Sequence, residues 1–328
     1  MNFRARRPRR SRWMLVGIAP IVAAAAVTWG LSPQARAQST EDVGTDATFV
    51  LVAAGDIAEQ CTASDPNCVH PKTAALVQEI NPAVVITMGD NQYDDARYQD
   101  FKNYFDKTWG RFKNIMRPVP GNHETYDSTP LAGYKKYFGS IATPKGKTYY
   151  SWDKGNWHFI ALDSNDFSGE YPLTDDAQTD DVELAADSAQ LKWLKSDLSN
   201  TTKGCVAVYY HHPRFSSGPH GDNKDVAPVW STLVANKVDL VLNGHDHLYE
   251  RFAPQDANGK ASSKGPVEII VGSAGRRLSN PKAEHSTTEA LLKKYGVLKL
   301  TMTDSTFSTQ LIGTNGEVLD RSPTYKCH

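Results

Sequence analysis

One run of β-branched and apolar residues ends at a carboxylate, Val84-Val85-Ile86-Thr87-Met88-Gly89-Asp90, and it limits the possible fold more than any other stretch. Such a run reads as a buried strand, and open α/β sheets place ligands beyond the carboxyl ends of their strands. Asp90 would therefore stand at a binding edge, with Asn91-Gln92-Tyr93 behind it. Residues 49–56, 115–123, 205–212 and 238–247 have the same form, an apolar run opening onto a ligand-type side chain. Together the five stretches offer Asp56, Asp90, Tyr93, Asn122, His211, His245 and His247. Carboxylate, phenol, amide and imidazole make a metal-ligand set and not a nucleophile triad. Asp56 by itself would read as a turn or N-cap aspartate.

The segments between these stretches set the architecture. Residues 71–80 carry a helical start signal and apolar spacing, so the first two strands and this helix form a βαβ unit with Asp56 and Asp90 at one edge. Residues 98–109 are aromatic-rich at helical spacing and should pack on the sheet. Gly121 would let the backbone turn tightly, so that Asn122 and His123 face one site. Residues 149–152 and 157–162 read as a hairpin around Lys154-Gly155-Asn156, and 188–198 and 226–235 as helices. Residues 164–187 are acidic and lack an apolar period, which reads as a solvated loop, with calcium binding a minor alternative. Short strands are expected at 267–271, 297–302, 306–312 and 317–320. No internal repeat is present. The expectation is a single α/β domain over 48–328, a layered α-β-β-α sandwich of mixed sheets with its site at the strand C-terminal edge.

Charge and cysteines bear on location. Six arginines precede an apolar stretch from Trp13 to about Leu31, and Ala35-Arg36-Ala37 supplies a small-x-small cleavage site, so residues 1–37 read as an export signal. Arg9-Arg10-Ser11-Arg12-Trp13 loosely resembles a twin-arginine signal, which suits export after folding around a metal. A stop-transfer pattern is lacking, so no stable membrane anchor is expected after cleavage, and the polar residues 38–47 read as a flexible leader. Residues 1–37 hold seven arginines and no acid; the remaining 29 bases face 37 acids, and a net charge near −8 argues against bulk attraction to nucleic acid. Cys61, Cys68, Cys205 and Cys327 are an even set in an exported chain. Three pairings are open, and free thiols are too. A Cys61–Cys68 staple is expected, with Cys205 then left to tie Cys327.

The donor set suits two adjacent ions, with Asp90 as the bridge and His245 and His247 reaching different ions. Gly55-Asp56, Gly89-Asp90-Asn91-Gln92-Tyr93, Gly121-Asn122-His123-Glu124, Val208-Tyr209-Tyr210-His211 and Gly244-His245-Asp246-His247 resemble the calcineurin-like metallophosphoesterases, and within them the purple acid phosphatases of short, mammalian-like form. The similarity runs from about residue 48 to about 277. Most metallophosphoesterases read Asp-x-His at the first motif; here Ala58 takes that place and Tyr93 replaces the missing donor, as in the purple acid enzymes.

The resemblance implies a secreted, metal-dependent acid phosphatase that hydrolyses small phosphate monoesters by attack of a metal-bound hydroxide. A phosphodiesterase or nucleotidase on the same site is the alternative. It implies ferric iron held by Asp56, Asp90, Tyr93 and His247, and iron(II), zinc or manganese held by Asp90, Asn122, His211 and His245. His123 and His220 resemble the family's substrate-binding and proton-donating histidines, His220 lying nine residues after His211. His212, His70 and His158 receive no ligand role, and Arg276 and Arg277 read as exposed turn residues. An amino-terminal β-sandwich like that of the large plant enzymes is not expected ahead of the motifs, so the chain's own loops should set access to the site.

Overall fold

The structure is a computed structural model describing residues 47–167 and 188–328. The export signal, most of the leader and residues 168–187 of the acidic loop lie outside the described residues. Among the described residues no helix is long and apolar enough to cross a membrane.

Among the described residues, fourteen strands build two seven-stranded mixed sheets. The first contains β1 (Phe49–Ala54), β2 (Val84–Met88) and β3 (Met116–Val119), all parallel. The second contains the hairpin of β4 (Tyr150–Lys154) and β5 (Trp157–Ala161), then β6 (Cys205–Tyr209), β7 (Leu240–Asn243), β8 (Tyr249–Phe252), β9 (Val267–Val271) and β10 (Thr288–Leu292). In it β5, β6, β7 and β9 run parallel; β4 lies antiparallel beside β5, β8 antiparallel beside β9, and β10 antiparallel to β8. Finally β11 (Gly296–Met302) returns beside β1, antiparallel to it, followed by β12 (Thr306–Gly313), β13 (Val318–Arg321) and β14 (Tyr325–Lys326).

The strands alternate two apolar faces because both sides of each sheet are covered. Leu51, Ala53, Ile86 and Met88 pack against Phe159, Ala207, Leu242 and Ile269 in the core between the sheets. Val52, Ala54 and Val85 face outward against Val77 of the helix His70–Ile80 and against Phe101, Phe105 and Trp109. On the far side, Val206, Val208 and Val241 meet Leu191, Leu194 and Leu198 of the helix Ala189–Asn200, and Trp230 and Leu233 of the helix Ala227–Ala235. This is the α-β-β-α sandwich that the sequence predicts. The aromatic segment is helical as expected but changes pitch, with a π-helical turn over Phe101–Phe105 and a 3-10 stretch over Trp109–Ile115. The start of the acidic loop departs from a solvated reading: Ser164–Asp166 is a 3-10 turn capped by Asp163, with Ser164 and Asn165 buried.

Both disulfides form, Cys61–Cys68 and Cys205–Cys327. A two-residue strand such as β14 has little hold of its own. The second disulfide closes a loop of 122 residues, and in the chain-entropy account a loop that long is worth about 5 kcal/mol. It acts mainly on the unfolded chain, and in the folded one it ties the C-terminal segment to β6 alongside the bonds of His328 to Asp239.

His158 joins the hairpin to the outer helix: Nδ1 lies 2.7 Å from Asp153 Oδ1 and Nε2 2.9 Å from Asp197 Oδ2. Burial disfavours the imidazolium, yet the Asp197 and Asp153 hydrogen bonds outweigh it and raise the His158 pKa above its usual value. Stability from a raised histidine is complete below the unfolded value of about 6.5 and is lost as pH rises through the folded one. His158→Ala should cost about 1–2 kcal/mol at pH 5–6, allowing for the half-exposed Asp153. The gap in thermal melts from wild type should narrow toward alkaline pH; a gap independent of pH would count against the clamp.

Candidate metal centre

Five parallel strands end at one edge and each hands a side chain to it. Asp56 follows β1, Asp90 follows β2, Asn122 and His123 follow β3, His211 follows β6, and His245 and His247 follow β7. Asp56, Asp90 and His245 are non-glycine residues held at φ of 59°, 47° and 73°. Left-handed backbone costs such residues about 1–3 kcal/mol unless the surroundings impose it. Here they do: Asp56 N–H donates to the Gly89 carbonyl (3.2 Å), Ile57 N–H to the Asp90 carbonyl (2.9 Å), and His245 N–H to Asp56 Oδ2 (2.9 Å).

Gly121 has φ −109°, so a tight turn is not why glycine stands there. The reason is close approach, because a Cβ at 121 would run into Oδ1 and the backbone nitrogen of Asp90. At Gly244 a Cβ would lie 2.6 Å from Asp56 Oδ2.

Asp90 is buried, and its two oxygens serve different neighbours. Oδ2 accepts from Tyr93 Oη (2.7 Å), and that hydroxyl also lies 2.9 Å from Asp56 Oδ1 and 3.2 Å from His247 Nε2. Oδ1 lies 3.4 Å from His211 Nε2, which is 3.0 Å from Asn122 Oδ1. His245 presents its ring 5.1 Å from that of His211. Donors at Asp56, Asp90 and His247 lie within 4.8 Å of one another, as do those at His211, His212 and His245. All seven predicted ligands thus converge, with Asp90 between two groups.

Protons and acceptors do not balance at this edge. His211 Nδ1 faces the Met88 carbonyl (2.7 Å) and His247 Nδ1 the Arg277 carbonyl (3.0 Å). Each must donate there, which leaves each Nε2 directing a lone pair at oxygens. Tyr93 has one hydroxyl proton for three neighbours. Acceptor atoms facing one another at about 3 Å are what a cation relieves, so these residues fit metal ions. With no cation, a proton takes that place: burial disfavours charge on His211, but Asp90 outweighs it and lifts its pKa to about 10. Burial likewise pushes Asp90 up, and His211 and His123 more than offset it, holding the carboxylate well below its usual range. Burial, Asp56 and Asp90 together keep the Tyr93 phenol protonated far above its ordinary pKa.

His123 lies beside this pair of groups, its Nε2 3.9 Å from Asp90 Oδ2 and its ring 4.2 Å from that of Tyr93. His220 comes from the loop after β6, and its ring stacks 4.0 Å from His245. Its Nδ1 bonds Asp246 Oδ1 (2.8 Å), while Ser216 Oγ bonds the other oxygen of Asp246. Burial works against the Asp246 carboxylate, but the His220 and Ser216 hydrogen bonds prevail and lower its pKa.

Supporting residues went unassigned in the sequence. Glu124, in the same motif as His123, accepts from the backbone N–H of Gly121 (2.7 Å), Asn91 (2.8 Å) and Gln92 (3.3 Å), bolting two ligand loops together. Burial and the nearby Asp90 raise its pKa to about 8. Its place three residues after Gly121 was the available signal. Arg276 is no simple turn residue: its guanidinium lies 4.4 Å over the Tyr93 ring and 3.0 Å from Asp94 Oδ1. His212 is fully buried against Ser164 Oγ (2.7 Å), and His70 is buried against Thr108 Oγ1 (2.9 Å).

With this edge in view, the class is clear: the sequence profile of the calcineurin-like phosphoesterases matches residues 49–249, and the chain belongs to that family. Within it the chain is similar to purple acid phosphatases, as its five motifs imply. It is 27% identical to purple acid phosphatase 22 of Arabidopsis thaliana over 62% of this chain and 48% of that protein. It is 27% identical to acid phosphatase type 7 of Mus musculus, over 68% of this chain and 55% of the relative. The chain spans about half the length of these curated relatives. A purple acid phosphatase from yellow lupin seeds shares the fold, with a TM-score of 0.67 and 19% identity, covering 86% of this chain and 54% of that one.

Because Gly121 leaves no room for a Cβ beside Asp90, Gly121→Ala should displace the central carboxylate. Metal affinity, measured by equilibrium dialysis with elemental analysis, should fall about 10- to 100-fold; full metal content at wild-type affinity would remove Asp90 from its central place.

Proposed function

We propose that the chain is a metal-dependent acid phosphatase that hydrolyses phosphate monoesters at a binuclear centre, active at acid to neutral pH. The observation that carries this reading is the division of Asp90, one oxygen toward Tyr93 and the other toward His211. Asp56, Asp90, Tyr93 and His247 would hold ferric iron, the hard anionic phenolate favouring a trivalent ion. Asp90, Asn122, His211 and His245 would hold iron(II), zinc or manganese. When bound, the pair supplies a water of lowered pKa as nucleophile and neutralises charge on the phosphoryl group.

The chain's own residues do the remaining work. His123 is held by the Asp94 carbonyl at Nδ1, so its Nε2 is directed at the space beside Asp90 where a phosphoryl oxygen would bind. His220 donates Nδ1–H to Asp246, and its Nε2 is the atom that would pass a proton to the departing alkoxide. Asp246 stabilises the imidazolium form of that histidine and fixes its ring. The catalytic domain would span 48–328 of an exported protein, with residues 1–37 as a cleaved signal; disulfides suit that compartment.

Purified protein should carry two metal ions per chain and show a tyrosinate-to-iron charge-transfer colour that Tyr93→Phe abolishes. A colourless, fully active protein with two divalent ions would reject the ferric assignment alone. Rates on 4-nitrophenyl phosphate should exceed those on bis(4-nitrophenyl) phosphate; the reverse order would make the enzyme a diesterase. His220→Ala should lower kcat/KM about 100-fold on phenyl phosphate, whose leaving group needs a proton, and far less on 2,4-dinitrophenyl phosphate. Equal losses on both esters would deny His220 the acid role.

A further inference from the structure

Tyr126 is, among the described residues, the one large aromatic side chain that is exposed, at 45%. Exposure alone assigns nothing, but two contacts do. Asn122 Nδ2 donates to Tyr126 Oη (2.8 Å), while Asn122 Oδ1 faces His211 Nε2 (3.0 Å). The two ends of a carboxamide have nearly the same shape, so their orientation is set only by the partners on each side. With the site side of the amide reserved for a cation, the hydroxyl accepts from the amide nitrogen and holds the oxygen, the only end able to ligate, toward the site. The second contact is ring to ring: His123 has Tyr93 at 4.2 Å and Tyr126 at 4.8 Å, the latter tilted by 59°.

We propose that Tyr126 is a positioning residue with two separable parts. Its hydroxyl fixes Asn122 as an oxygen donor, and its ring holds His123 in place to meet the phosphoryl group. The inference rests on the ligand and substrate roles given above to Asn122 and His123. The turn carrying both residues does not depend on the tyrosine side chain. Thr125 Oγ1 bonds the Asn122 carbonyl (2.6 Å) and the Tyr126 backbone N–H bonds the His123 carbonyl (3.3 Å), and both bonds survive substitution at 126.

The test uses the full chain as wild type, Tyr126→Phe, Tyr126→Ala and Asn122→Ala. Zinc(II) is titrated into protein stripped of its weaker ion, and KM and kcat for 4-nitrophenyl phosphate are then measured at saturating metal. Tyr126→Phe should weaken zinc binding about tenfold and leave KM at saturating metal within twofold of wild type. Tyr126→Ala should show the same affinity loss and also a KM about tenfold higher. Wild-type zinc affinity in Tyr126→Phe would overturn the role of the hydroxyl, and equal KM values in the two tyrosine variants would overturn that of the ring. Asn122→Ala separates the levels: if it too keeps full zinc affinity, the ligand assignment fails; if it loses affinity while Tyr126→Phe keeps it, only the inference about Tyr126 fails.

Discussion

A carboxylate with no access to water must be neutralised from several sides, and Asp90 is that carboxylate. Desolvating it would cost several kcal/mol if it stood alone. What it receives instead is a hydroxyl from Tyr93, a backbone N–H from His123 and the imidazole of His211, contributed by loops after three different strands. The left-handed backbone at positions 56, 90 and 245 and the small residues at 121 and 244 all follow from packing so many polar groups around two aspartates.

Other buried acids secure the loops around it. Glu250 of β8 accepts from the N–H and the hydroxyl of Ser217, and Glu268 of β9 accepts from Arg214 N–H. Burial pushes Glu268 up to about 8. Both hold the loop that carries His220, which Asp246 also grips. A segment with little secondary structure is thereby fixed at its base by carboxylates of the second sheet while the His220 side chain itself stays half-exposed. Such support would suit the proton-donating role proposed for His220.

The strands that feed the site were legible because each is an apolar run ending in a polar side chain, and the seven side chains that meet at the edge all follow such runs. Strands β8 and β10 were not. Tyr249-Glu250-Arg251-Phe252 places two charges in a buried strand, and only long-range partners make this tolerable: Asp320 and Glu289 for Arg251, Ser217 and Thr288 for Glu250. No local pattern reveals such pairing. Glu124 and Asp246 stood inside recognised motifs, but their work lies in bonds to backbone and side chains that only folding brings near. Gly121 reads as a tight-turn glycine in the sequence but serves close approach, because a glycine needed for space and one needed for a positive φ look alike there.

The register of β1 with β11 sets an order of events during synthesis. Phe49 pairs with Met302 and Ala53 with Leu298, so the strand that delivers Asp56 lacks one neighbour until nearly the whole polypeptide has been made. At roughly 5–20 residues per second, the ribosome takes on the order of ten seconds or more to close that gap. Until then that edge of β1 presents unpaired backbone groups, the kind of edge at which strands of separate chains can pair.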